Sequence, residues 1–179
     1  MYDLILRGGT VVDGTRSRPY AADVCIRGGR IARIAPDAGE EAREVVDVSG
    51  LAVAPGFIDI HTHSDACPLV DYEPESKLHQ GITTIFHSFS LYKDEKFGKS
   101  PLRTHGSVRE MAALIRDIHD RYHLIHHRFH LRLEIDNLDA YDIAADMIEK
   151  GLIHEISFMD HSPGQGQFKN LAIYRTALA

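Results

Sequence analysis

Pro55-Gly56-Phe57-Ile58-Asp59-Ile60-His61-Thr62-His63-Ser64-Asp65 is a short apolar run that ends in two histidines one residue apart. Phe57, Ile58 and Ile60 make it strand-like, and its apolar character marks it as a buried strand. Strand side chains alternate faces, so Asp59, His61 and His63 project to one side. The two imidazoles then stand roughly 7 Å apart along the backbone, near enough to lean onto one cation at about 2.0–2.1 Å per Zn–N bond. A hydrophobic strand that stops at ligand-grade side chains is how a parallel α/β barrel presents chemistry at its carboxyl end. The flanking Pro-Gly and carboxylates favour metal ligation over a chance pair.

Upstream, residues 2–6, 22–27, 30–35 and 44–48 are short strand-like runs parted by Gly8-Gly9, Asp13-Gly14, Gly28-Gly29 and Ser49-Gly50. Gly28-Gly29 predicts a tight hairpin. Downstream the period changes. A helical stretch near 74–80 stops at Gly81, a strand covers 82–89, and a polar loop fills 92–106. Ser107 and Glu110 read as a capping box opening a helix with Met111, Leu114, Ile115, Ile118 and Tyr122 on one face. A strand at 129–135, a helix at 141–150 closed by Gly151, a strand at 153–159 and a further helix from Asn170 complete the order.

The expected class is α/β: a partial (β/α)8 barrel of about four strands over residues 55–179, preceded by part of a small β-sandwich over residues 1–54. A whole barrel takes roughly 250 residues. The 179 residues are therefore expected to be truncated, the N-terminal portion of a larger protein with an incomplete site and little turnover.

Composition is that of a globular protein, and a net charge of −6 gives no reason to expect nucleic acid or an acidic membrane as partner. Cys25 and Cys67 make no disulfide framework and read as thiols in a reducing compartment. With no membrane-length apolar run and no signal-peptide pattern, the expected location is the cytoplasm. A small-molecule substrate is the expected partner, and a homo-oligomer is an open option.

The anomaly is histidine, twelve of them. On the 129–135 strand Arg128, His130, Arg132 and Glu134 share one face, and Phe129, Leu131, Leu133 and Ile135 the other. The apolar side should pack on helices, which turns the polar four into the barrel lumen. Burying that much charge requires pairing, a metal or a wet site. Glu134, nearest the carboxyl end, suits metal ligation or general-base work, and Arg132 suits an anion. On the last strand His161 falls on the face of Ser157 and Met159 and should reach the mouth shared by His61, His63 and Glu134. Nitrogen and oxygen donors from three strands suit Zn, or Mn or Fe, with one or two ions per site. His87, read as inward-facing with Thr83 and Ile85, and His130 are candidate substrate contacts. His119, His123, His126 and His127 are expected at the far end of the barrel as solvated or helix-capping side chains. The loop or helix-end residues His79, His105 and His154 get the same reading.

The runs Tyr2–Thr10, Pro55–His63 and Gly81–Thr84 resemble the amidohydrolase superfamily, metal-dependent hydrolases with a β-sandwich beside a (β/α)8 barrel. Residues 1–85, with His61–Asp65 and Glu75–Gly81, look like N-acyl-D-amino-acid deacylases. Residues 81–175, with His130–Glu134 and Ser157–Phe168, look more like the phosphonate-metabolism hydrolase of the carbon–phosphorus lyase pathway. That second likeness implies release of pyrophosphate from a ribose 1-alkylphosphonate 5-triphosphate, with a metal-bound water as nucleophile, Arg132 on the phosphates and Glu134 as ligand or base. It departs from its family at His63, where His-x-Asp is usual. The deacylase reading, in which the same water attacks an amide, is the alternative. A fragment that only binds metal or self-associates through open sheet edges is the third.

Overall fold

Alternating apolar residues in the first part of the chain form one mixed sheet of five strands: β1 Tyr2–Val11, β2 Tyr20–Arg27, β3 Arg30–Ala35, β4 Ala42–Asp47 and β5 Ala52–Val53. The order is β3-β2-β1-β4, with β5 also on β1; β1–β2 and β2–β3 are antiparallel, and β4 and β5 run parallel to β1. This computed structural model describes residues 1–39, 41–63, 72–91, 105–121, 124–164 and 166–177. Two compact units divide it, Met1–Pro55 and Gly56–Ala179.

In the first unit Ile5 faces Cys25 across the β1–β2 ladder and joins Tyr2 and Ala38 in one apolar cluster. Val11, Ala22 and Val24 build another. Gly28 and Gly29, with φ of 58° and 71°, make the two-residue hairpin turn between β2 and β3, a conformation in which a side chain would be strained. Asp23 is 4% exposed, yet its carboxylate accepts from the Gly8 and Ala38 amides at 2.9 and 3.0 Å and lies 3.8 Å from Arg7. Cys25 is a buried free thiol.

The second unit alternates strand and helix: β6 Phe57–Thr62, α1 Tyr72–His79, β7 Ile82–Leu91, α2 His105–Arg121, β8 His126–Glu134, α3 Asp139–Glu149, β9 Glu155–Met159, a 3₁₀ turn Gly166–Phe168 and α4 Leu171–Ala177. The four strands are parallel in the order β6-β7-β8-β9, a curled half-barrel as the βαβ rhythm implies. Gly81, at φ 77°, ends α1 as expected. At Gly56 a Cβ would lie 2.1 Å from the Thr83 hydroxyl oxygen, so β6 enters beside β7 only without a side chain there.

The core lies between the sheet and its helices. Phe89 and Leu91 of β7 and Phe129, Leu131 and Leu133 of β8 meet Val108, Met111, Ala112 and Ile115 of α2 and Ala140, Ile143, Ala144 and Met147 of α3. The Phe89 and Phe129 rings stack at 5.1 Å, an offset arrangement that favours aromatic pairs.

Four expectations change. The 57–61 strand, expected to be buried, is the outer strand β6, and Phe57, Ile58 and Ile60 are 64%, 60% and 62% exposed. α2 begins at His105, two residues before Ser107, which therefore stands inside the helix. β8 begins at His126, so His126 and His127 belong to the strand. Ile135, expected among the packed residues, follows the end of β8 and is 43% exposed. Asp65, Cys67, the 92–104 part of the polar loop, Tyr122, His123 and Gln165 lie outside the described residues.

Candidate functional site

β6 and β7 run parallel, and their neighbouring carboxyl-end residues include Thr62 opposite His87. On the lumen face His61 and His63 turn their rings together: Nε2 to Nε2 is 3.1 Å and the ring centroids are 4.8 Å apart. Two Zn–N bonds of about 2.0–2.1 Å at a tetrahedral angle hold their nitrogens roughly 3.3 Å apart. The donor chemistry and the spacing of this pair thus fit two ligands of one divalent ion.

Behind the pair runs a line of hydrogen bonds. His61 Nδ1 is 3.1 Å from Ser88 Oγ, Ser88 Oγ is 3.0 Å from His130 Nδ1, and His130 Nε2 is 2.8 Å from Ser157 Oγ. Ser88 is on β7, His130 on β8 and Ser157 on β9, so the line crosses three neighbouring strands. His130 is 2% exposed. Burial lowers its pKa, with nearby His61, Arg132 and His63 adding to the effect and Glu155 opposing it. Both of its ring nitrogens are engaged by hydroxyls, which suits it to holding neighbours rather than to the substrate contact expected of it.

Arg132 Nη1 lies 3.4 Å from His63 Nε2 and 3.3 Å from Ser90 Oγ. Its guanidinium therefore stands beside the histidine pair, where an anionic group would meet it. Asp59 leaves the pair for the helix: its carboxylate is 2.7 Å from Lys77 Nζ of α1 and takes the His61 amide at 3.3 Å. Burial alone would raise the Asp59 pKa; the Lys77 hydrogen bond and charge, with the His61 amide, outweigh it and leave it lowered.

Glu134 is 5% exposed at the end of β8 and receives a short hydrogen bond from His161 Nδ1. The four expected ligands thus form two pairs. Among the described residues no group of three or more His, Cys, Asp or Glu side chains is gathered to hold one ion. The reason is register. His61 sits at the level of His130, with ring centroids 5.2 Å apart, whereas Glu134 lies four residues further, roughly 13 Å along the strand.

His87 corrects the inward reading made of it. It shares a strand face with Phe89 and Leu91, which pack on the helices, and its Nε2 is 3.0 Å from Nδ1 of His127. The rings stack at 5.3 Å, at 1% and 3% exposure. His127 is therefore a buried side chain, not a solvated one, and its Nε2 has no hydrogen-bond partner among the described residues. Burial, followed by the mutual charge and Lys77, holds His87 down to about 3 against a smaller upward pull from Asp59. Burial, then His119 and His126, holds His127 to about 4. His154 accepts the Phe129 amide at Nδ1 (3.1 Å) and meets Arg128 at Nε2 (3.1 Å), so it fastens the start of β9 to β8.

Sequence reasoning gave no role to Ser88, Ser90 or Lys77. The two serines had a visible signal: they alternate with Phe89 and Leu91, and the strong apolar pair fixes which parity faces the lumen.

No family model matches the chain. D-aminoacylase of Alcaligenes xylosoxydans xylosoxydans is 48% identical over 84 residues, which is 47% of this chain and 17% of that protein. The chain thus spans under a fifth of the length of this curated relative. Among solved structures, a D-aminoacylase aligns at 30% identity and TM-score 0.57 over 73% of this chain and 30% of its own. The N-acyl-D-glutamate deacylase of Bordetella bronchiseptica, solved with zinc and a phosphonate inhibitor mimicking the tetrahedral intermediate, aligns at 27% identity and TM-score 0.55 over 73% and 29%. Allantoinase and D-hydantoinase are also among the matches. The chain is thus related to the amidohydrolases, with D-aminoacylase and the hydantoinase and allantoinase enzymes as its neighbours.

Proposed function

We propose that this chain carries part of the active site of a metal-dependent amidohydrolase that removes the acyl group from N-acyl-D-amino acids. The observation that carries the reading is the convergence of His61 and His63, Nε2 to Nε2 at 3.1 Å, at the carboxyl end of a parallel strand. The deacylase relatives favour this substrate over the ribose triphosphate expected from residues 81–175. His61 and His63 would hold a divalent ion, with zinc, present in the Bordetella enzyme, as the first candidate. When bound, such an ion supplies a water acidic enough to act as hydroxide near neutral pH. Arg132 would orient the substrate carboxylate, and Glu134 with His161 is the pair suited to carrying a proton to or from the amide.

The test has two arms. Zinc should bind the wild-type chain in stoichiometric amount, and His61→Ala or His63→Ala should remove it. N-acetyl-D-amino acids should release acetate faster than their L forms, with no pyrophosphate from a ribose 5-triphosphate. Pyrophosphate release without deacylation, or zinc binding indifferent to both histidines, would overturn the reading.

A second reading rests on the outer strands. Phe57, Ile58 and Ile60 on β6 and Phe158 on β9, the last 63% exposed, border ladders with a neighbour on one side only. Such edges pair with other chains unless blocked. Light scattering on the purified chain should find dimers or larger species, and Ile60→Lys should return it to monomer. A wild-type monomer at high concentration refutes self-association.

A further inference from the structure

We infer that His61, Ser88, His130 and Ser157 form a tautomer relay that sets which nitrogen of His61 is free to take a cation. The inference rests on the metal reading proposed above and adds to it the state of three side chains that never touch the ion.

Proton counting along the line leaves two self-consistent arrangements. Each contact is between a ring nitrogen and a hydroxyl oxygen, at 3.1, 3.0 and 2.8 Å in order from His61. A neutral imidazole has one donor and one acceptor nitrogen, and Ser88 has one proton to offer. In the first arrangement Ser157 donates to His130 Nε2, His130 Nδ1 donates to Ser88, and Ser88 donates to His61 Nδ1. The His61 proton is then on Nε2 and points at His63 Nε2, 3.1 Å away, which is the geometry of the cation-free chain. In the second, His61 Nδ1 donates to Ser88, Ser88 to His130 Nδ1, and His130 Nε2 to Ser157. His61 Nε2 now presents a lone pair. Passing from one to the other releases a proton from His61 Nε2 to solvent. Ser157, half-buried at the far end, takes one up as its own moves to His130, so the net charge is unchanged.

Ser88 is the obligatory joint. Its hydroxyl is the atom shared by two histidines on different strands, and it is fully buried, so water has no ready access to replace it. Hydrogen bonds to the non-ligating nitrogen of a metal-binding histidine fix its tautomer and raise its basicity. Here that partner is coupled onward to β9.

Nitrogen-15 NMR of the histidine-labelled chain tests the relay, with zinc as probe. In the metal-free wild type His61 should carry its proton on Nε2 and His130 on Nδ1; zinc should switch both rings together. Ser88→Ala should uncouple His130 from zinc addition and weaken zinc binding about 10–100-fold, and Ser88→Thr should restore both. Ser157→Ala, at the accessible end, should abolish the His130 switch with less effect on folding. Zinc that switches His61 while His130 stays fixed in the wild type overturns the relay and leaves the metal reading standing. Zinc that alters neither ring overturns both.

Discussion

Lowering the pH from neutrality to about 5 should remove roughly 4 kcal/mol of stability from the Gly56–Ala179 unit, chiefly through His87 and His127. Unfolded, both rings take up a proton near pH 6.5, the ordinary value for histidine. Folded, they stay neutral down to about 3 and about 4, because burial opposes the charge first and neighbouring histidines add to it. In the window below about 6.5 the unfolded chain therefore binds more protons than the folded one. Stability is whole above that window and falls by about 1.4 kcal/mol per pH unit for each ring as pH drops through it. Two rings over about 1.5 units give the figure above, set against the 5–15 kcal/mol that holds a typical domain together. Buried His130 and His154, whose values are also lowered, act in the same direction. Urea unfolding near pH 7 and near pH 5 measures the loss. In His87→Leu/His127→Leu, which removes both partners of the contact, the dependence should flatten markedly. An unchanged slope in that double variant would assign the acid sensitivity elsewhere.

Phe129→Ala should cost about 3–5 kcal/mol, enough to unfold much of the same unit. The ring is fully buried, stacks on Phe89 at 5.1 Å and stands where β8 meets the helix layer. Truncation removes its transfer energy, leaves a cavity and forfeits the stacking. Phe129→Leu should lose less than half as much. Equilibrium denaturation of the two variants decides it; a cost below about 1 kcal/mol for the alanine would mean that the helices collapse into the gap.

The strand–helix rhythm and the parallel order were readable because β8 and α2 carry strong periodicities of two and 3.6. Phe129, Leu131 and Leu133 could face only the helices, and Arg132 and Glu134 therefore only the lumen. β7 was harder. Its run Ile82–Leu91 is polar or apolar on both faces without alternation until Ser88-Phe89-Ser90-Leu91, and a parity read from Ile85 and His87 as inward put His87 on the wrong side. His127 was missed for a related reason: the start of β8 moved three residues, which carried a histidine from the expected solvated end into the helix layer. The His61–His63 pair was legible because it is local, two residues on one strand. The gathering of Glu134 and His161 with that pair was not, because it depends on how far along each strand a side chain sits, and spacing within a single segment says nothing of that offset.

Consecutive residues of β8 answer to opposite tasks, so the strand tolerates no change in its length. A single residue inserted before Arg128 would swing Phe129 and Leu131 into the lumen and deliver His130, Arg132 and Glu134 to the helix layer. Length variation among relatives in this segment would then have to be confined to the turns that flank the strand, while substitutions inside it remain free to vary on one side without rewriting the other.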